Sequence, residues 1–197
     1  MNRRDFIVSG LSVGVCTLEP ALAQTGWADL FDGKTLNGWN RTGEANWRVE
    51  DGIIVADGGK SGYLVTPDHY RDFELQAEIW VDEKANSGIF FRCSDPQKVG
   101  AVNAYEANVF DTRSDPTFGT GAIVNVAKVD PKGGPLPKAG GKWNTMLITA
   151  KGDRFSFVFN GQTTVDNAHD NKYQDGPIAL QYGTGIVKFR NIRLRRL

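Results

Sequence analysis

The residues best suited to chemistry gather in one short string, Tyr105-Glu106-Ala107-Asn108-Val109-Phe110-Asp111. Read as a β-strand, the string puts Glu106 and Asn108 on one face, roughly 6–7 Å apart along the chain. Asp111 falls on the opposite face of a regular strand, and a bulge between Asn108 and Asp111 would bring it back. Two carboxylates close together on one face can serve as nucleophile or base and as acid. The same string also describes a solvated strand face that ends in an Asp turn. Glu78 and Arg92 fall on strands that read as neighbours, each on the less apolar face. With Glu106 they are expected to form a Glu-Arg-Glu row across one sheet. Such a row is either a site or plain cross-strand charge pairing. Trp80 shares the face of Glu78, where an indole stacks on a sugar ring or simply joins the core.

The elements that must position these residues are strands. Helical periodicity is almost absent, and short alternating apolar runs recur between Asp-Gly, Asn-Gly and Gly-Gly turns. Trp47 to Val55 around Asp51-Gly52 reads as a hairpin, and so does Arg154 to Val165 around Asn160-Gly161. Phe73 to Val81 reads as the longest strand, with Phe73, Leu75, Ala77, Ile79 and Val81 on its core face and Glu74, Gln76, Glu78 and Trp80 on the other. Ser87 to Cys93 follows, with Ile89, Phe91 and Cys93 opposed to Phe90 and Arg92. Trp143 to Ala150 also has period two. The last strand changes parity between Phe189 and Ile192, which predicts a β-bulge near Asn191. The sum is an all-β sandwich or jelly roll. A Gly/Pro-rich segment, Val129 to Lys142, is expected to be a long loop, either a cleft cover or a surface excursion.

Charge, cysteine and leader bound the function classes. The 197 residues carry 23 basic and 23 acidic side chains, which gives no nucleic-acid footprint. Residues 1–23 read as a targeting segment: Arg3-Arg4 before Asp5-Phe6, a weakly apolar stretch from Ile7 to Leu18, and Ala21-Leu22-Ala23 as the cleavage signal. The expectation is therefore a twin-arginine-type leader and a single exported domain over 24–197, periplasmic or secreted, with no membrane span after cleavage. An ordinary secretory leader gives the same destination. Cys93 would then stand alone, so no disulfide framework is expected. His69 and His169 are isolated, and the Asp166-to-Asn171 stretch lacks the EF-hand order of calcium ligands. No P-loop, Gly-x-Ser-x-Gly, zinc or dinucleotide motif occurs.

Several strings together carry a family resemblance. The chain opens with Trp27-Ala28-Asp29-Leu30-Phe31-Asp32-Gly33-Lys34-Thr35-Leu36-Asn37-Gly38-Trp39. Asn86-Ser87-Gly88-Ile89-Phe90-Phe91-Arg92 is followed by the Tyr105-to-Asp111 string, then Lys142-Trp143-Asn144 and Asn160-Gly161. Ile178-Ala179-Leu180-Gln181 and Phe189-Arg190-Asn191-Ile192 close it. In this order they resemble the 3-keto-disaccharide hydrolase domain family, over almost the whole stretch from Trp27 to Leu197. The resemblance implies a concanavalin-like jelly roll of two antiparallel sheets with a sugar site on a concave face. It implies an exported enzyme that cleaves glycosides already oxidised at C3, with a sugar 3-dehydrogenase upstream. In that chemistry the ketone acidifies the C2 proton, a carboxylate removes it, and a cation or a divalent metal stabilises the enolate while the C1 group leaves. Glu106, Asp111 and Arg92 are the expected catalytic residues. Glu78, Trp80, Asn108 and Gln181 are the expected substrate contacts. The alternative is a lectin-like module that binds carbohydrate without turning it over. The Glu-x-Asn-x-x-Asp spacing also looks like the Glu-x-Asp-x-x-Glu strand of β-glucanases, yet it departs at two of three positions and does not predict their retaining mechanism. Two further departures stand out: Asn108 replaces the family's usual Gln, and Tyr182 replaces its usual His.

Overall fold

The computed structural model describes residues 26–130 and 134–197; the expected leader, with Cys16, lies outside them. The chain runs through thirteen strands: β1 (Ala28–Asp29), β2 (Asn40–Ala45), β3 (Arg48–Glu50), β4 (Ile53–Ala56), β5 (Gly59–Val65), β6 (Phe73–Val81), β7 (Asn86–Phe91), β8 (Tyr105–Val109), β9 (Trp143–Lys151), β10 (Arg154–Phe159), β11 (Gln162–His169), β12 (Ala179–Thr184) and β13 (Val187–Arg196). The one helical element among the described residues is a 3-10 turn, Pro116–Phe118, capped by Asp115. The larger sheet has the order β11-β10-β9-β6-β13-β4-β3, with β1 beside β13. The smaller has the order β2-β5-β12-β7-β8. All pairings between these strands are antiparallel.

The two sheets pack face to face because their strands turn every second residue toward the shared core. β6 alternates without a break, burying Phe73, Leu75, Ala77, Ile79 and Val81. Ile89, Phe91, Ala107 and Leu180 answer from the smaller sheet. Phe91 bridges the two layers, edge-on to Phe73 at 5.9 Å and to Phe155 at 5.5 Å. Edge-to-face rings stabilise such a core by about 0.5–1.5 kcal/mol beyond area burial. This is a jelly-roll sandwich, as the strand pattern leads one to expect.

The two hairpin turns form where the sequence puts them. Glu50 pairs with Ile53 across Asp51-Gly52, and Phe159 with Gln162 across Asn160-Gly161. Both turns need positive φ at each central residue, and both have it. The parity change in β13 is also present. Its register with β6 shifts between Arg190 and Arg193, and Asn191 takes φ of 51°. At 10 residues against 9, β13 rather than β6 is the longest strand.

Two sequence expectations are corrected here. β6 and β7 are not neighbours: the short link Asp82 to Ala85 carries the chain from the larger sheet to the smaller one. That link has no Asn-Gly or Asp-Gly pair to close a hairpin. Instead Asp82 accepts from the backbone N–H groups of Lys84 and Ile186, which shapes an arch. Secondly, Arg92 takes φ of 53° just after β7. This single left-handed residue reverses the alternation. Arg92 turns inward beside the core, and Cys93 joins Phe90 on the outward side rather than Phe91.

Candidate active site on the outward face of the five-stranded sheet

The antiparallel register lines up two rows of outward residues across the smaller sheet. One row runs Val65, Ala179, Phe90, Glu106. The next runs Thr42, Tyr63, Gln181, Gly88, Asn108. The first row is apolar except for Glu106. Cys93, Ala104, Val99 and Ala101, all from the segment after β7, pack over it. Glu106 is therefore a carboxyl group set at the end of a hydrophobic strip, with a residue exposure of 6%.

That position governs its proton affinity. Burial pushes the Glu106 carboxyl up from 4.5 to about 7, and the opposing charge of Arg113 offsets only part of this. A carboxyl poised near neutral pH gives up and takes back a proton readily, which suits a general base. Tyr63 stands in the adjacent row, edge-on to Phe90 at 5.4 Å. Burial raises its pKa, the Gln181 amide opposes the rise, and Glu106 adds to it, so the phenol stays a hydrogen-bond donor at neutral pH. Asn108 is fully buried and donates through Nδ2 to the Phe118 carbonyl at 2.8 Å, which leaves Oδ1 without a partner. Gln181 Oε1 is likewise without a partner. Gly88 sits between these two amides, and a Cβ there would stand 3.5 Å from Glu106 Cγ and 2.8 Å from the Ala107 carbonyl. The missing side chain lets β7 approach β8 closely beside the carboxylate.

The residues expected from sequence divide between this site and elsewhere. Glu106, Asn108 and Gln181 are brought together. The Glu-Arg-Glu row does not form, because Glu78 and Trp80 lie on the outward face of the larger sheet. Burial works against the Glu78 charge there, but Asn191 at 2.6 Å and Arg190 at 2.7–2.8 Å outweigh it and hold the carboxyl below its usual range. The Trp80 ring carries Lys188 at 4.9 Å, and the neighbouring Trp143 ring carries Arg190 at 4.0 Å. Arg92 is 1% exposed and tied to the backbone: it donates to the carbonyls of Arg71, Gly152 and Tyr173 and to Asp72. It staples three loops and points away from Glu106's face.

Asp111 does not return to that face either. β8 ends at Val109, and no bulge carries Asp111 round. Its carboxylate accepts from Thr120 Oγ1 at 2.6 Å and from the backbone N–H groups of Ala139 and Gly140 at 2.9–3.0 Å. It thus anchors the described part of the Gly/Pro loop, and the pair of carboxylates expected on one face is not assembled. The charge that reaches Glu106 comes instead from Arg113, two residues beyond.

A divalent cation would find a poor seat here. Among the described residues the oxygens near Glu106 are amides and a phenol. No group of three or more His, Cys, Asp or Glu side chains is placed to hold a metal in the described residues. His69 faces Asp175 and His169 faces Asp153, far apart in the sequence and each in an exposed pair.

Residues 26–195 match the domain family described as 3-keto-alpha-glucoside-1,2-lyase-like. The chain belongs to this family. A 3-keto-disaccharide hydrolase of Bacteroides thetaiotaomicron is 37% identical over 78 residues, covering 34% of this chain and 27% of that protein. The match therefore spans about a quarter of the relative's length. A candidate glycosyl hydrolase from Parabacteroides distasonis aligns at 26% identity with a TM-score of 0.68, over 87% of this chain and 99% of that one. The carbohydrate binding module CBM66 from Bacillus subtilis aligns at 20% identity with a TM-score of 0.64, over 80% and 95% of the two chains, which speaks for the fold alone. Within the 3-keto-alpha-glucoside-1,2-lyase-like fold, the two departures fall in different places. Asn108 stands in the site row. Tyr182 faces the core and packs edge-on against Trp47 at 6.4 Å, so the substitution of the expected His is on the inward side of β12.

Sequence reasoning missed Tyr63, Arg113, Gly88 and Thr42. Tyr63 alternates with the buried Leu64, which marks it as outward but says nothing of Glu106. Only the sheet order sets β5 two strands from β7 and three from β8.

Proposed function

We propose that this protein cleaves glycosides whose sugar ring is already a ketone at C3, with Glu106 as the single base. The observation that carries this reading is a lone buried carboxyl held near pH 7 on the outward face of the smaller sheet, with Asp111 engaged elsewhere. A glycosidase of two carboxylates needs a partner that the described residues of this face do not supply. An elimination needs only one base and a positive group.

The carboxylate of Glu106 takes the proton from C2, and the C–H electron pair passes into the ketone as an enolate. Arg113 supplies the positive charge, and the Tyr63 phenol is placed as a donor. The pair then returns to form the C1–C2 double bond as the C1–O bond breaks. The departing oxygen takes the proton now on Glu106. Addition of water across the new double bond, hydroxyl to C1 and hydrogen to C2, completes a net hydrolysis. The substrate's ketone calls for an upstream sugar 3-dehydrogenase. The expected leader would place the reaction outside the cytoplasm. Cell fractionation of a version with Arg3 and Arg4 changed to lysine checks that part.

The test is turnover of a 3-keto-glucoside against its unoxidised parent, with and without a chelator. Cleavage is expected for the keto sugar only and to be insensitive to the chelator. Glu106→Gln is expected to lower the rate by about 10²–10⁴. Equal cleavage of both sugars, or full activity without Glu106, would sink the reading. A binding module is the second reading, favoured by Asp111's role as a loop anchor; saturable sugar binding with no cleavage would select it.

A further inference from the structure

Glu106 is 6% exposed, so a sugar carbon reaches its carboxyl only when something over it moves. What lies over its row is the link from β7 to β8. Ala104 precedes Glu106 by two residues and shares its face. Val99 and Ala101 pack beside Ala104 on Phe90, Val65 and Ala179.

This link is built as a closed unit. Ser94 donates twice to the Asn103 carbonyl, through its backbone N–H at 2.8 Å and its hydroxyl at 2.9 Å, which joins the two ends in a neck. Asn103 braces the interior: Oδ1 accepts from the Gly100 N–H at 3.0 Å, and Nδ2 donates to the Lys98 carbonyl at 2.5 Å. Asp95 accepts from the N–H groups of Gln97 and Lys98. A loop with joined ends and internal bonds is an Ω-loop, and it can swing about its neck without breaking those bonds. The neck springs from fixed points. Arg92 is tied to three loop carbonyls, and Tyr105 donates to Asp170 at 2.5 Å.

Two things hold the loop down. One is its small apolar underside, Val99 and Ala101, both only half-buried. The other is Tyr173, whose hydroxyl donates to the Val102 carbonyl. Among the described residues, the remaining hydrogen bonds of 94–103 stay within 93–103. The Val102 side chain is 80% exposed and adds nothing to the grip. Tyr173 is itself held by the loop's exit: its N–H donates to the Tyr105 hydroxyl at 3.0 Å, and the two rings lie 5.0 Å apart.

We infer that residues 94–103 are a cover that lifts from Glu106's row as a unit about the Ser94–Asn103 neck, and that Tyr173 is the positioning residue that latches it shut. Closed, the cover keeps water from the carboxyl. Open, it admits the sugar. Its role as a gate rests on Glu106 being the base; the cover and its latch do not.

Cys93 is a built-in reporter. It is 1% exposed, belongs to the strip beneath the cover, and donates through Sγ to the Asp95 carbonyl at 3.3 Å. In a Cys16→Ser background, the rate at which a thiol reagent labels Cys93 reads the opening. That rate is expected to be flat at low urea, the mark of a local opening that exposes little surface. Tyr173→Phe keeps the ring and removes the tether, and is expected to speed labelling about five- to tenfold. Val99→Ala trims the underside and is expected to speed it further in the double variant. On the Glu106→Gln protein, Tyr173→Phe is expected to tighten a 3-keto-glucoside by the same factor, because a larger share of molecules is open to it. Labelling that follows global unfolding in urea, or that Tyr173→Phe leaves unchanged, overturns the inference. Faster labelling with unchanged affinity upholds the latch and overturns the gate. Labelling needs no substrate, so failure of Glu106 as the base shows in the turnover assay alone.

Discussion

Glu106 owes its raised proton affinity to its neighbours rather than to a partner. Val65, Phe90 and Ala179 share its row, and desolvation by such surroundings favours the neutral carboxyl. Linkage then fixes a sign. The folded protein binds this proton more tightly than the unfolded chain does, so Glu106's contribution to stability is complete below about pH 4.5 and is lost as pH rises through about 7. Across that interval the loss is on the order of 3 kcal/mol. Glu106→Gln is therefore expected to melt higher than the parent at pH 8, by about 6–12 °C, and to show little advantage at pH 4.5. Calorimetric scans at the two pH values check it. Activity should run the other way, rising with pH through a limb near 7 as the base form appears. Arg92 is a residue of a different kind. Replacing it with Met leaves the carbonyls of Arg71, Gly152 and Tyr173 short of their donor. A loss of about 3 kcal/mol in urea unfolding is expected, with turnover per folded molecule retained.

At the scale of elements, much was legible in advance. Period-two burial in β6, both hairpin turns and the bulge at Asn191 follow from local rules: alternation, and Asn or Asp before Gly where φ is positive. What local rules could not supply was which strands are neighbours. β6 and β7 are consecutive in sequence yet lie in different sheets, so the Glu78–Arg92–Glu106 row dissolves on folding. The reversal at Arg92 was equally hidden, because an arginine gives no hint of positive φ. Conversely, Gln181 and Asn108 meet through β7, a strand whose contribution between them is a glycine. The Asp111 loop allows a test at this scale. Asp111→Ala removes the acceptor for Thr120, Ala139 and Gly140 at once. A destabilisation of about 2–3 kcal/mol is expected, with faster limited proteolysis between 134 and 142.

Taken whole, the molecule keeps two outward faces with different economies of polar groups. On the larger sheet, Glu74 meets Arg195, Gln76 meets Arg193 and Glu78 meets Arg190, with the Trp27 and Trp143 rings beneath arginines. A groove of about 550 Å³ crosses that face, lined by Gln76, Glu78, Leu147, Val158 and Arg193. Its Gln76 is matched to Arg193, and its Glu78 to Asn191 and Arg190. On the smaller sheet, oxygens stand unmatched and burial pushes a carboxyl up to about 7. The contrast is the physical reason to look for function on the smaller sheet, even though the groove lies on the other face.

Gly88 bears on how such a protein can change. Every other position in its row can be trimmed to something smaller or exchanged for something larger. Gly88 can only grow, and growth there meets the Ala107 carbonyl first and Glu106 next. Any side chain placed there on β7 therefore displaces the β8 backbone or the carboxylate itself. Variation at that position therefore disturbs Glu106 and its strand first, so in the proposed reaction a change of substrate scope must come from what surrounds the row: the segment carrying Val99 and Ala101, or the turn at Phe118.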